Sequence, residues 1–478
     1  MIMKQNETPL YDALMVNKEK KPISFHVPGH KYGRIFSNKA KSTFEKVLNL
    51  DATEITGLDD LHAPEGIIAD AQQLVSHYFQ SDRSYFLVNG STIGNLAMVM
   101  AVCRPGDQLV VQRNCHKSVL NGLELAGAEP IFVAPEWEEE TNRYSLVTKA
   151  SIENALKQYP EAKGVLLTYP DYFGRAYPLK EIAQLVHEHE LPLLIDEAHG
   201  VHFKVSPSFP TTAIDAGADV VVQSAHKMAP AMTMASFLHM KTRYVDDRRL
   251  RHYLQMLQSS SPSYTLMASL DLARHFLANL NEEEVEAVFS FVEQTRELFA
   301  TYDHWRVLPV SIWDDPLKLI LEVKRSTGFA VAKVLEECRI DPELATTDQV
   351  LLTFGLGESF SIQELNERLT EVDCRLKKQP KHATIKVDQP TIPSVQSLEM
   401  SYSDMDDVPT EECSWGKAAN SIAAEAVIPY PPGIPVIMKG ERISNEHIDY
   451  IEALIKQGAR FQNDEIEHGI QVFKGESM

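Results

Sequence analysis

The stretch DVVVQSAHK (219–227) runs from an aspartate through three valines to Ser224, His226 and Lys227. An ammonium at the end of a buried strand is costly unless it finds a partner or gives up its charge. A lysine can also snorkel out of a loop, so its chemistry depends on what else the chain supplies. Three other features follow apolar runs. VNGSTIGNLAMVMA (88–101) reads as a strand, a small polar turn and a helix starting near Thr92. Ser91, Thr92 and the N–H groups of such a helix start can cradle a phosphate, or simply cap the helix. RNCHKSV (113–119) places His116 just past another run, where a histidine also serves structural ends. LLIDEAHGVHF (193–203) closes a run with Asp196 and Glu197, and the small Ala198 keeps space clear before His199. The spacing of Asp196, His199 and His202 permits a metal site, but no further ligand cluster supports one. His26 and His30 cannot complete it, because Pro28 and Gly29 break the helix that would place both on one face. We therefore expect no metal.

Together these residues are the parts of a pyridoxal 5'-phosphate site. A lysine forms the Schiff base, a carboxylate keeps the pyridine nitrogen protonated, and a helix start binds the phosphate. Lys227, Asp196 and the Ser91–Thr92 turn supply one each, Ser224 adds a phosphate ligand, and His116 is suited to stack on the ring.

These residues require a scaffold that gathers strand ends. Seven apolar runs lie at 85–88, 108–112, 130–133, 164–168, 192–195, 219–223 and 235–240. Most are continuous rather than alternating, as in strands covered on both faces, and the longer connections leave room for crossover helices. That pattern predicts an α/β domain with a largely parallel sheet, in which ligands bind beyond the carboxyl ends of the strands. From 261 the pattern turns helical and then mixed until about 370. Residues 376–412 are polar and without periodicity, which reads as loop or linker. At 421–441 an apolar patch returns, with four prolines that exclude a regular helix. With 478 residues the chain can bury a large core in two or three domains. The net charge of −21 argues against nucleic acid or an anionic membrane as partner. Five scattered cysteines without a CxxC pair, and no signal-peptide core, point to a cytoplasmic protein with reduced thiols.

At this point the chain resembles the Orn/Lys/Arg decarboxylase class-I family, pyridoxal-phosphate enzymes of the aspartate-aminotransferase-like fold (fold type I). The resemblance is carried by FHVPGHKYG (25–33), LDDLHAPEGII (58–68), VNGST (88–92), RNCHKSV, DEAHGVHF, SAHK (224–227), SSSPSYTLMASLD (259–271) and AEAVIPYPPGIP (424–435). In length the chain is similar to the short Gram-positive members. The resemblance implies an N-terminal arm over 1–60, a large α/β domain over 61–300 with a mostly parallel sheet, and a smaller α+β region over 301–375. A linker over 376–412 and a C-terminal decarboxylase region over 413–478 complete it.

It also implies that Lys227 carries the cofactor, Asp196 pairs with the ring nitrogen, and Ala198 and His199 lie beside the ring. His116 stacks on it, Ser91, Thr92 and Ser224 hold the phosphate, and His226 touches substrate or cofactor. Ser259 matches a phosphate contact made to the neighbouring subunit, which implies a homo-oligomer with a dimeric core and shared sites. The implied activity is decarboxylation of arginine, lysine or ornithine to the amine, feeding polyamine metabolism. An aminotransferase or other lyase on the same fold, or a catalytically silent pyridoxal-phosphate binder, are the alternatives. Glu425, Asp59 and Asp60 are candidates to read the substrate's cationic end. One departure stands out: MAPAMTMAS follows the lysine, where other short members often carry a glycine-rich turn.

Overall fold

The computed structural model describes residues 4–378, 390–429, 434–463 and 465–474. The elements that frame the site are, in chain order, helices α1 (Pro9–Glu19) and α2 (Ile67–Phe79), strand β1 (Arg83–Leu87) and helix α3 (Gly90–Val102). Strand β2 (Gln108–Gln112), helix α4 (Lys117–Ala126), and strands β3 (Glu129–Val133), β4 (Val165–Thr168), β5 (Leu193–Asp196) and β6 (Val220–Gln223) follow. Next come the short helix α5 (Ala225–Met228), strand β7 (Ser236–Met240), and helices α6 (Asp247–Leu257) and α7 (Tyr264–Asn279). All seven apolar runs form strands. The chain divides into two compact units, residues 1–102 with 186–281 and residues 103–185 with 282–478.

In the first unit the strand order is β1, β7, β6, β5. β5 and β6 run parallel, with Asp196 in register with Val222. β7 runs antiparallel to both β6 and β1. The link from β6 to β7 holds only a four-residue helix and a turn, too little for the crossover that a parallel neighbour requires. β1, β5 and β6 therefore point the same way, and their carboxyl ends share one edge. Asp196, Ser224 and the start of α3 emerge there together. Gly94 seats α3 directly on the strands, since a Cβ at that position would lie 2.7 Å from Val222 and 2.9 Å from Leu87.

Two carboxylates fasten the N-terminal segments. Asp271 of α7 is fully buried against Arg274 at 2.6 Å, and its other oxygen accepts from the Leu10 and Tyr11 N–H groups at 3.1 and 3.4 Å. Arg274 also donates from its two terminal nitrogens to the carbonyls of Gln5 and Glu7. A buried ion pair needs such added hydrogen bonds to offset desolvation. Asp59, at φ +65, accepts from the N–H groups of Asp60, Glu65, Gly66, Ile68 and Ala69 and so caps α2. Burial works to raise its pKa, but the N–H groups of Glu65, Asp60, Gly66 and Ile68 outweigh it and hold the carboxyl below its usual value. A depressed folded-state pKa contributes stability above the unfolded value near 4, and that contribution is lost as pH falls through the folded value. Asp59→Ala is expected to cost about 2 kcal/mol at neutral pH and progressively less below about pH 4 in denaturant titrations. A cost that does not change with pH would contradict a charged cap.

In the second unit the order is β4, β2, β3 in parallel, followed by an antiparallel edge strand β8 (Val395–Ser397). That edge strand, with the short helix Tyr402–Met405, corrects the reading of 376–412 as featureless loop. Three residues are too few to show a period, and the strand exists through its pairing with β3. A separate antiparallel sheet contains Trp305–Val307, Lys318–Val323, Gln349–Thr353 and Leu344–Ala345. Near the C-terminus, Trp415, Ile437, Ile451 and Ile470 form a core of their own. Glu441 ties that region to the end of β2 through a buried pair with Arg113 at 2.8 Å. Residues 379–389, and 430–433 within VIPYPPGIP, lie outside the described residues.

Candidate active site

At the shared strand edge of the first unit, Ser224 Oγ donates to Ser91 Oγ at 2.6 Å. Two residues 133 positions apart thus meet at the start of α3, where Gly90 at φ +82 turns the chain into the helix. Thr92 lies in the same first turn and is exposed. Asp196 is 3% exposed. Its Oδ1 accepts from the Ala198 N–H at 3.2 Å and its Oδ2 from Asn95 Nδ2 at 2.8 Å. Lys227 lies on α5 with its Nζ 2.9 Å from His199 Nε2, and His199 is itself buried. Seven of the expected residues, Ser91, Thr92, Asp196, Ala198, His199, Ser224 and Lys227, thus sit around the carboxyl ends of β1, β5 and β6.

His226 turns the other way. Both its backbone N–H and its ring Nδ1 meet the Ala235 carbonyl, each at 3.2 Å. A carbonyl only accepts, so Nδ1 carries the proton and Nε2 keeps its lone pair. Burial, together with the nearby Lys227 charge, pushes the imidazole pKa down, although the bond to Ala235 opposes this. His226 is accordingly neutral at pH 7.

Ala235 belongs to a turn closed by its own N–H to the Met232 carbonyl at 3.0 Å. Met234 holds φ +80 there, the sign glycine takes as third residue of a type II turn. The methionine-rich segment therefore keeps the turn while placing a side chain where glycine would be unstrained. Met234→Gly is expected to raise stability by about 0.5 kcal/mol, relief of about 1–2 kcal/mol of strain exceeding the entropic cost of about 0.5–1 kcal/mol. Thermal unfolding checks this, and a loss above about 1 kcal/mol would mean the methionine side chain matters more than its backbone.

Two of the remaining site residues stand apart. The Ser259 carbonyl lies 2.8 Å from His62 Nε2, and its exposed hydroxyl donates to the Ser261 carbonyl at 3.2 Å. The neighbouring Gln258 anchors this loop by accepting from the Val88 N–H at 2.9 Å. His116 lies in the second unit, where its ring Nδ1 accepts from the Ser118 N–H and caps α4. His202 packs between the rings of Phe203 and Phe209, both centroids 4.8 Å away. Of the carboxylates considered for the substrate's cationic end, Asp59 is spent on its cap and Asp60 accepts from the His62 N–H. Glu425 accepts from Gln471 N and Asn463 Nδ2.

Sequence reasoning missed Asn95 and Gln223. Asn95 had a signal, an amide inside an otherwise apolar helix and one turn beyond Ser91. Gln223 links the buried Glu197, at 2.6 Å, to His239, at 2.9 Å, and His239 continues to Ser84. Burial pushes the Glu197 carboxyl up to about 8 despite hydrogen bonds from Gln223 and Ala213, and it pushes His239 down to about 3.

Residues 8–314 match the model of the Orn/Lys/Arg decarboxylase major domain, and 386–474 match that of its C-terminal domain. The chain belongs to the Orn/Lys/Arg decarboxylase family. It is 42% identical to the uncharacterized protein YaaO of Bacillus subtilis (strain 168), over 96% of each chain. It is 37% identical to an arginine decarboxylase of the same organism, over 99% of each. Among solved structures, lysine decarboxylase A from Pseudomonas aeruginosa aligns with TM-score 0.81 at 19% identity, covering 98% of this chain and 80% of that one. The decarboxylase thus has the fold-type-I architecture, and it is a pyridoxal-phosphate-dependent carboxy-lyase of basic amino acids. Its residues fit the cofactor. The strand edge offers hydroxyl and N–H donors for a phosphate dianion, an acceptor carboxylate for a cationic ring N–H, and an amine for the aldehyde. No helix among the described residues is long and apolar enough to cross a membrane.

Proposed function

We propose that this decarboxylase converts L-arginine to agmatine and CO₂, a first step toward polyamines. The support for arginine is the 37% identity, over 99% of both chains, to a protein named arginine decarboxylase. Relatives named lysine decarboxylase are 22–24% identical. The chemistry rests on one observation, the convergence of Ser91, Ser224, Asp196 and Lys227 at a single strand edge.

In this reading Ser91, Thr92, Ser224 and the first N–H groups of α3 bind the phosphate. Lys227 anchors the aldehyde carbon, Asp196 faces the ring nitrogen, and Ala198 leaves room beside the ring. Bound pyridoxal phosphate supplies an electron sink for the pair left on Cα when CO₂ departs. Each turnover consumes one proton at Cα. Lys227 Nζ, once released from the cofactor, is the donor, with His199 Nε2 as its hydrogen-bonding partner. His226, neutral and fixed by Ala235, presents Nε2 as an acceptor to a protonated group of the substrate or cofactor. Ser259 reaches the phosphate of a second copy of the chain, so dilution to monomer should release cofactor and activity together.

The reading is tested by measuring CO₂ release from arginine, lysine and ornithine, with the amine identified. Arginine is expected to lead in kcat/KM by at least about tenfold, or about 1.4 kcal/mol. Preference for lysine or ornithine would reassign the substrate, and no release from any of the three would point to a silent binder.

A further inference from the structure

A primary amide buried in an apolar helix is costly unless its hydrogen-bonding groups are used. Asn95 is 1% exposed, flanked by Gly94 and Leu96 in the middle of α3, and its Nδ2 lies 2.8 Å from Asp196 Oδ2. The helix that carries it is seated at two points. Gly94 lets the helix backbone sit against Val222, the residue in register with Asp196. One turn earlier on the same face, Ser91 meets Ser224. A single helix face thus carries a group at the phosphate end of the site and another at its carboxylate end.

The amide nitrogen can only donate, and so can the Ala198 N–H on the other oxygen. Asp196 therefore meets a donor at each oxygen, which fixes the orientation of the carboxylate. We infer that Asn95 is a positioning residue that orients Asp196 and keeps it an acceptor toward the ring nitrogen of pyridoxal phosphate. The inference rests on the assignment of Asp196 proposed above. It adds a residue that touches neither substrate nor cofactor and acts through its bond to Asp196.

The test uses holoenzyme reconstituted with cofactor labelled with ¹⁵N at the ring, whose chemical shift reports ring-nitrogen protonation. Wild type, Asn95→Ala, Asn95→Asp and Asp196→Asn are each titrated with pH, and thermal unfolding of the apo forms verifies folding. Loss of one hydrogen bond to a charged group should lower the ring-nitrogen midpoint in Asn95→Ala by about one pH unit. Asn95→Asp keeps the size but sets a second carboxyl against Asp196, so the pair shares a proton and the ring-nitrogen midpoint should move away from that of wild type. The kcat should fall by about tenfold in Asn95→Ala with KM little changed. If Asp196→Asn shifts the ring signal while both folded Asn95 variants titrate like wild type, the inference is overturned and the Asp196 assignment stands. If none of the variants shifts it, Asp196 is not the ring partner and the inference falls with it. Should the alanine variant fail to fold, the isosteric Asn95→Asp decides alone by the same criterion.

Discussion

Lys227→Ala is expected to remove the visible imine absorbance and to reduce decarboxylation by at least about a thousandfold. In the proposed roles the variant loses both the covalent anchor and the proton donor at Cα, and acid–base assistance alone is typically worth about 10²–10⁴ in rate. The structure makes the effect specific to this lysine. It is the amine that α5 carries beyond the end of β6, and His199 Nε2 lies 2.9 Å from it. Folding should be largely spared, because Lys227 is only half-buried. Borohydride reduction of the wild type followed by peptide mapping should find the pyridoxyl group on residue 227. An adduct on any other lysine would remove Lys227 from the site.

Asp196→Asn should separate binding from turnover. The phosphate contacts proposed for Ser91 and Ser224 and the linkage proposed for Lys227 do not involve Asp196, so the variant should stay yellow. Turnover of the best substrate should fall at least about a hundredfold, or about 2.7 kcal/mol of transition-state stabilisation. Two effects combine. A neutral amide no longer favours a protonated ring, which is the form that accepts electrons from Cα. In addition, an asparagine side chain has one acceptor where the aspartate has two, and both are used here by Ala198 N–H and Asn95 Nδ2. One of those donors would face an NH₂ group, at a local cost of about 1–3 kcal/mol. Thermal unfolding of the variant measures that second part separately. Turnover equal to wild type would show that Asp196 does not serve the ring.

The sequence by itself determined the strands and singled out the candidate reactive set. Each of the seven main strands is a short apolar run, and burial on both faces leaves that pattern readable one residue at a time. Lys227, Asp196, Ser91 and Ser224 were legible because an amine, a carboxylate and hydroxyls following separate strands are what one cofactor needs. Residues whose role depends on a partner far along the chain were not. Asn95 gains meaning only because β5 and β6 run parallel in a register that sets Asp196 beside Val222, under the helix that Gly94 lets down. His199 was placed beside the ring by resemblance, and its bond to Lys227 emerged from the packing of α5. Asp59 carried a charge suited to a cationic substrate, yet backbone N–H groups of its own loop and of the start of α2 claim both of its oxygens. The edge strand at 395–397 exists because β3 offers it a partner. Hydrophobic pattern is a local property of the chain, whereas hydrogen-bond ownership is settled only when distant segments meet, and the structure alone decided it.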